Sequence, residues 1–294
     1  MRTRSFTRLC RWGWVVLLLV IGTSPTLAQY SAYLPPPRQW ILSPGYSFQA
    51  FDHFWAGDTR YSLADLGISG EIQQHTIQFA CEYGVSRRVA LDASLGYVRT
   101  HLTRQSEEGL TDSSVGLRYQ LLREHRTRPS RPTLALRLGS VIQGTYDLHL
   151  GLPPTHPGDG ASGVEIAALF GKTLGRSGLT AYGDVGYRNR SEGVPSDVFG
   201  TMGLSYGPAP WISVNIAYRH EQSLSGVDIL GPGFVGNWQE VREINRLMEM
   251  GISFALARGI SWNTFVSWNL SGRNTADKNI VGTYLSWTIG PDSK

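Results

Sequence analysis

Arg88-Val89-Ala90-Leu91-Asp92-Ala93-Ser94-Leu95-Gly96-Tyr97-Val98 is the stretch from which the fold of this chain reads most directly. Laid out as an extended strand, it puts Val89, Leu91, Ala93, Leu95 and Tyr97 on one face and Ala90, Asp92, Ser94 and Gly96 on the other. Side chains of a strand alternate between its faces, so a period of two predicts a strand that is apolar on one side and small or polar on the other.

The same phase extends in both directions. Ile77, Phe79, Cys81 and Tyr83 oppose Gln78, Ala80 and Glu82, and Val115, Leu117, Tyr119 and Leu121 oppose Gly116, Arg118 and Gln120. Further on, Leu134, Leu136 and Leu138 oppose Arg137 and Gly139, while Val164, Ile166, Ala168 and Phe170 oppose Glu165, Ala167 and Gly171. Val185 and Tyr187 face away from Asp184 and Arg188; Met202, Leu204 and Tyr206 face away from Thr201, Gly203 and Ser205. Ile212 to Tyr218, Met248 to Phe254, Ile260 to Trp268 and Val281 to Ile289 continue the series, with Ser213, Asn215, Arg219, Glu249, Gly251, Ser253, Asn263, Ser267 and Asn269 on the opposite side. With a less regular first strand near Tyr46 to Phe54, about twelve strands are expected, within the range of such barrels.

Connections sort by length. Short turns are expected at 84–87, 174–178, 207–210 and 257–259, with a middling basic one at 123–132. Long loops are expected at 56–70, 100–109, 145–161, 189–195 and 222–240, with a shorter one at 272–278. Short periplasmic turns alternating with longer external loops are the pattern of an outer-membrane barrel. Only a closed sheet satisfies its backbone in hydrocarbon, so the apolar face meets lipid and the polar face lines the interior. Aromatics on the apolar phase fall into two groups: Tyr83, Tyr119, Tyr206, Trp262 and Trp287 near short turns, and Tyr97, Tyr187, Tyr218 and Trp268 near long loops. Two aromatic girdles are expected where such a barrel crosses the membrane interfaces. A soluble lipocalin-like barrel or sandwich also shows period two, but about eight strands already leave an interior that side chains just fill.

Composition agrees. Charged residues are 17% of the 294, with 34 Gly, 13 Tyr and 9 Trp, below the roughly 25% charged of an ordinary soluble domain. The net charge of +4 is carried by Arg2, Arg4, Arg8 and Arg11, which stand without an acid in the first 28 residues, and the rest is balanced. A nucleic-acid partner therefore lacks its electrostatic basis. Those arginines precede an apolar run from Trp14 to Ile21 and the small-residue site Thr26-Leu27-Ala28, so residues 1–28 read as a cleaved signal peptide. Cleavage there leaves Cys81 as the sole cysteine and no intramolecular disulfide. Residues 29–42, with Pro35-Pro36-Pro37, Arg38 and Trp40, read as an N-terminal periplasmic segment, a spacer or a docking peptide for a periplasmic partner. Residues 43–290 form the barrel and 291–294 a C-terminal tail.

Motifs for chemistry are weak. Gly231-Pro232-Gly233-Phe234-Val235-Gly236 matches G-x-G-x-x-G but contains a proline and precedes no helix of a βαβ unit. The seven histidines are scattered, so no metal is expected, and no cofactor. A lipid-modifying enzyme remains as a third alternative, although no His-x-Ser occurs to activate a serine; no catalytic residue is assigned.

The polar face is the informative surface. Glu82, Asp92, Arg118, Arg137, Glu165, Asp184, Arg188, Arg219, Glu221 and Glu249 share it, and charges of this kind are costly in lipid. They either brace the lumen closed or line a narrow wetted path, and their mixed signs predict no strong ion selectivity. Two long loops carry apolar residues, Leu150 and Leu152 in one and Ile229, Leu230 and Phe234 in the other, which are expected to fold over the mouth and to offer an access site for an apolar solute.

The run Gly109-Leu110-Thr111-Asp112-Ser113-Ser114-Val115-Gly116-Leu117-Arg118-Tyr119 resembles the Gly-x-x-Asp-x-x-x-Gly-x-Arg-Tyr stretch of the outer-membrane family labelled for the meta-pathway of phenol degradation. Glu82-Tyr83-Gly84-Val85-Ser86 is similar to that family's preceding hairpin, and the layout is similar over most of the mature chain. Gln143-Gly144-Thr145-Tyr146 stands where the family has Pro-x-Gly, and the chain ends without a terminal aromatic. The resemblance implies an outer-membrane transporter of small, often hydrophobic or aromatic compounds. The expectation is an all-β, antiparallel up-and-down transmembrane barrel in a Gram-negative-type outer membrane, contacting lipid and a small solute. A non-conducting structural barrel with an envelope partner is the alternative.

Overall fold

The structure, a computed structural model, describes residues 31–102, 105–125, 130–146, 160–175 and 177–291. The expected signal peptide and the Leu150 and Leu152 loop residues lie outside them. The strands are β1 (Trp40–Phe51), β2 (His53–Ala56), β3 (Thr59–Ser62), β4 (Ile72–Gly84), β5 (Val89–Leu102), β6 (Gln105–Leu110), β7 (Ser113–Leu122) and β8 (Thr133–Ile142). They continue with β9 (Gly163–Leu174), β10 (Leu179–Arg190), β11 (Asp197–Ala209), β12 (Ile212–Ser223), β13 (Ile244–Ala257), β14 (Ile260–Arg273) and β15 (Asn279–Ile289).

Twelve wall positions close into an antiparallel barrel. Each wall strand pairs with its sequence neighbour, and β1 closes the ring by pairing with β4 on one side and β15 on the other. β6 and β7 share one position: both pair with β5, the first over Tyr97–Leu102 and the second over Val89–Ser94. β2 and β3 form a separate hairpin.

Two expectations about boundaries are corrected. β1 begins at Trp40, inside the stretch read as an N-terminal segment, and its irregular pattern comes from Pro44. Proline has no N–H to donate, and the β1–β15 ladder skips Ser43 and Pro44 before resuming at Gly45 opposite Tyr284. The long loop expected at 100–109 is largely strand, since β5 runs to Leu102 and β6 starts at Gln105. Beyond the hydrocarbon the outward face need not be apolar, so Arg99 and His101 fall on the lipid phase without cost and hide the strand from a hydropathy pattern.

Turns at the short-turn end are tight, and Gly178 and Gly259 supply the left-handed backbone they need, with φ of 75° and 73°. On the outer surface Ile77, Leu138, Val185 and Met202 are each more than 60% exposed, while Ala90, Arg118, Ala135, Ala167 and Leu169 on the inner phase are at most 2% exposed. This inversion is that of a barrel whose solvent is lipid. Met202, mid-strand on β11, tests it: Met202→Arg is expected to lower stability by about 2–4 kcal/mol, the cost of an Arg at the midplane of a barrel's lipid face, while Met202→Leu stays near wild type, as read by urea unfolding in lipid vesicles.

Candidate functional site: the barrel lumen

Closing the sheet brings the polar phase of every strand to one interior, where the charges find each other. Arg118 on β7 pairs with Glu82 on β4 and lies 3.1 Å from Asp92 on β5. Arg137 on β8 meets Asp92 at 2.7 Å and also pairs with Glu165 on β9. Arg188 on β10 reaches Glu165 at 3.1 Å, Glu221 on β12 at 2.8 Å and Asp197 on β11 at 3.6 Å. Arg190 continues the chain at 3.1 Å from Asp197. One ion-pair belt thus links eight adjacent wall strands.

Glycine makes room for it. A Cβ at Gly116 or Gly139 would stand 2.5 Å or less from the Arg137 guanidinium, so the side chain lies flat on a bare patch of wall. The Gly116-x-Arg118 spacing of the sequence motif is therefore a packing requirement of the neighbouring arginine. Arg118 and Arg137 are each 1% exposed, which explains the dependence on full pairing, because a buried ion without its partner is strongly unfavourable.

The N-terminal segment enters this space. Ser31 accepts a 2.8 Å hydrogen bond from Arg118 through its carbonyl, and the Ala32 carbonyl accepts one from Gln120 Nε2 at 3.2 Å. Ala32 packs with Ala135, Ala167, Leu169 and Phe199, and the Tyr33 ring covers Gly171, where a Cβ would be 2.4 Å away. Pro36 presses on Gly84, and Arg38 N donates to the Gly84 carbonyl at 2.6 Å. Residues 31–33, read from sequence as periplasmic, sit inside the barrel, because the unmatched donors of Arg118 and Gln120 find main-chain carbonyls there. Proline composition alone carried no sign of this.

Asp184, Arg219 and Glu249 stand apart from the belt. Arg219 Nη2 is 3.2 Å from Glu249 Oε2, and Asp184 sits opposite Thr201, which sits opposite Arg219, across three adjacent strands. Sequence reasoning placed ten charges on the polar face and passed over Arg190, Asp197 and Asp112. Arg190 was legible, since it continues the phase of Asp184 and Arg188; Asp197 was masked by the loop next to it.

At the mouth, Ile229 and Val241 join Phe51, Phe54, Leu63, Ile68, Ile72, Leu102 and Ala276 in a buried cluster, with Phe234 packed against it. Leu230 does not join them and is 67% exposed, with a left-handed φ of 63° that turns it outward. Arg273 clamps this cap by donating to Asp228 at 2.7 Å and to Asp58 at 2.5 Å, and Asn274 donates to Asp228 at 2.9 Å.

Solved outer-membrane barrels are built alike. An outer-membrane channel from Pseudomonas putida F1 superposes with a TM-score of 0.67 at 13% identity, covering 87% of this chain and 97% of its own. The NanC porin matches at 0.49 and 7% identity over 84% of this chain and 98% of its own, and the translocator domain of autotransporter NalP from Neisseria meningitidis at 0.47 and 12% over 86% and 89%. No family model and no curated protein matches the chain. The fold is that of an outer-membrane β-barrel.

Two outcomes test the site. Arg137→Ala leaves Asp92 to Arg118 alone and Glu165 to Arg188 alone, and is expected to cost up to about 3–5 kcal/mol, the loss from breaking a buried pair, in urea unfolding. At the cap, the Arg273 hydrogen bond outweighs the cost of burial, and with help from Asn274 it holds the Asp228 carboxyl below its ordinary range. A lowered folded pKa gives stability that is present above the unfolded value of about 3.9 and lost as pH falls through the folded one. Hydrogen exchange in residues 224–243 is therefore expected to stay slow at neutral pH and to rise below that range, and to be fast at every pH in Asp228→Ala.

Proposed function

We propose that the protein is a passive outer-membrane channel whose lumen is threaded by its own N-terminal segment. The observation that carries this is the kind of matter filling the barrel: a short peptide held by main-chain carbonyls on Arg118 and Gln120, where a purely structural barrel would be filled by its own side chains. Net hydrogen bonds of this sort contribute about 1 kcal/mol each, rising to about 1.5–3 where one partner is charged, so the segment is displaceable without unfolding the wall. The glutamate, aspartate and arginine side chains named above are the proposed lining.

The proposed solute is small and apolar or aromatic. The resemblance to the phenol meta-pathway family and the apolar cap holding Ile229 and Phe234 support this class. A second reading, a non-conducting structural barrel, is favoured by the ion-pair belt, which braces eight strands across their hydrogen-bonded ladders.

Planar-bilayer recording separates the two. Deleting residues 31–37 is expected to raise single-channel conductance several-fold over the intact protein while the barrel stays folded. A folded deletion variant that shows no openings would favour the structural reading.

A further inference from the structure

Three loops at the long-loop end of the barrel meet on one side chain. Asn274, in the β14–β15 turn, is 1% exposed. Its Oδ1 accepts from Gly57 N at 2.7 Å and from Ile229 N at 3.1 Å, and its Nδ2 donates to Asp228 Oδ1 at 2.9 Å and to the Arg242 carbonyl at 2.7 Å. These bonds use the full capacity of a carboxamide, and donors on one side with acceptors on the other allow it a single orientation. Its backbone is left-handed, with φ of 50°, a conformation asparagine tolerates better than most residues that carry a side chain.

Asn274 holds a tongue. Residues 228–240 leave the wall between β12 and β13 and are pinched at a neck, where Val227 N donates to the Glu240 carbonyl at 3.0 Å and Arg242 N to the Val227 carbonyl at 2.9 Å. The Asn274 amide bonds Asp228 and Ile229 on one side of that neck and Arg242 on the other. From there the tongue reaches across the mouth. Ile229 and Val241 are buried with Phe51, Ile72 and Leu102, which lie opposite one another at the long-loop ends of β1, β4 and β5, on the inward phase of Ala90 and Asp92. Toward β9, Gln239 Nε2 donates to the Gly160 carbonyl at 3.5 Å. The β2–β3 hairpin that supplies Gly57 is itself fixed to the β14–β15 turn, through Trp55 N to the Thr275 carbonyl at 2.9 Å and Asp277 N to the His53 carbonyl at 3.0 Å.

We propose that residues 228–240 are the gate of the long-loop mouth and that Asn274 is its latch, a positioning residue that fastens the neck of the tongue to the hairpin and the β14–β15 turn. Removing one partner from a buried hydrogen-bonded group leaves the other unsatisfied, so the bonds at Asn274 hold or fail as a set and the tongue opens as a unit while the wall stays closed. The gate differs in role from the N-terminal segment: the segment narrows the path through an open channel, and the tongue sets how often the channel is open. The gating half of the proposal rests on the channel reading, whereas the latch half does not.

Asn274→Gly in the full-length protein tests both halves, since glycine keeps the left-handed backbone and removes only the amide. Hydrogen exchange in lipid vesicles is expected to quicken several-fold, in concert, over residues 228–242, with β7 to β10 unchanged. In planar bilayers the open probability is expected to rise several-fold at unaltered unitary conductance. Faster exchange confined to Gly57 and Ile229 would make Asn274 a local contact and overturn the latch. Concerted exchange in a channel whose open probability does not move overturns the gate and leaves the channel. A barrel silent in bilayers with or without the substitution, whose tongue still exchanges in concert, keeps the latch and removes the channel. Should Asn274→Gly fail to fold, Asn274→Asp keeps an acceptor for Gly57 and Ile229 but turns an oxygen toward Asp228 and the Arg242 carbonyl; at neutral pH the same two rises are expected, and an unchanged tongue counts against the latch.

Discussion

Everything in this molecule follows from the need of each backbone N–H and C=O to find a partner where water is absent. In hydrocarbon that need is met by a helix or by a sheet with no free edge, and a chain of period-two strands has only the second option. β1 supplies the closure by pairing with both β4 and β15. Closure then fixes the fate of every side chain: one phase goes to lipid and the other to a space shared by all twelve wall positions. The exposure of Met202 and Leu138 and the burial of Arg118 and Arg137 are two consequences of one act.

That shared space turns an expensive set of residues into a workable one. Any of the interior arginines facing lipid would be strongly unfavourable. Inside, each guanidinium has several donors in a fixed fork and is shared between carboxylates on different strands, as Arg137 is between Asp92 and Glu165. The geometry is possible because Gly116 and Gly139 leave the wall bare beneath it. Stability and lumen shape are therefore coupled: the groups that fill the lumen are those that tie the wall together.

Much of this was legible in the sequence. Alternation gave the strands, the turn lengths gave the up-and-down order, and phase put the charges of both signs on one face. What phase cannot give is partner choice. Which acid meets which arginine depends on strand tilt and register, so the separation of Asp184 from the belt was invisible until the register was known. The placement of Ser31 to Tyr33 was hidden for a different reason. A short, proline-rich, non-periodic segment has no hydrophobic pattern to declare its destination, and its anchors are carbonyls that every residue has. Leu230 failed similarly, because apolar content in a loop does not specify which residues turn inward.

The asymmetry of the lumen is the deepest consequence of closure. A peptide inserted against β7, β8 and β9 satisfies donors there, Arg118 and Gln120 among them, by offering acceptors. It has no comparable supply of donors for the acids of the far wall, since its three prolines lack N–H groups. The segment is thus chemically matched to the arginine-bearing side and mismatched to Asp184 and Glu249. A filling of this kind completes the arginine-bearing side of the barrel and leaves the far wall to meet its acids with its own groups, as Arg219 does for Glu249.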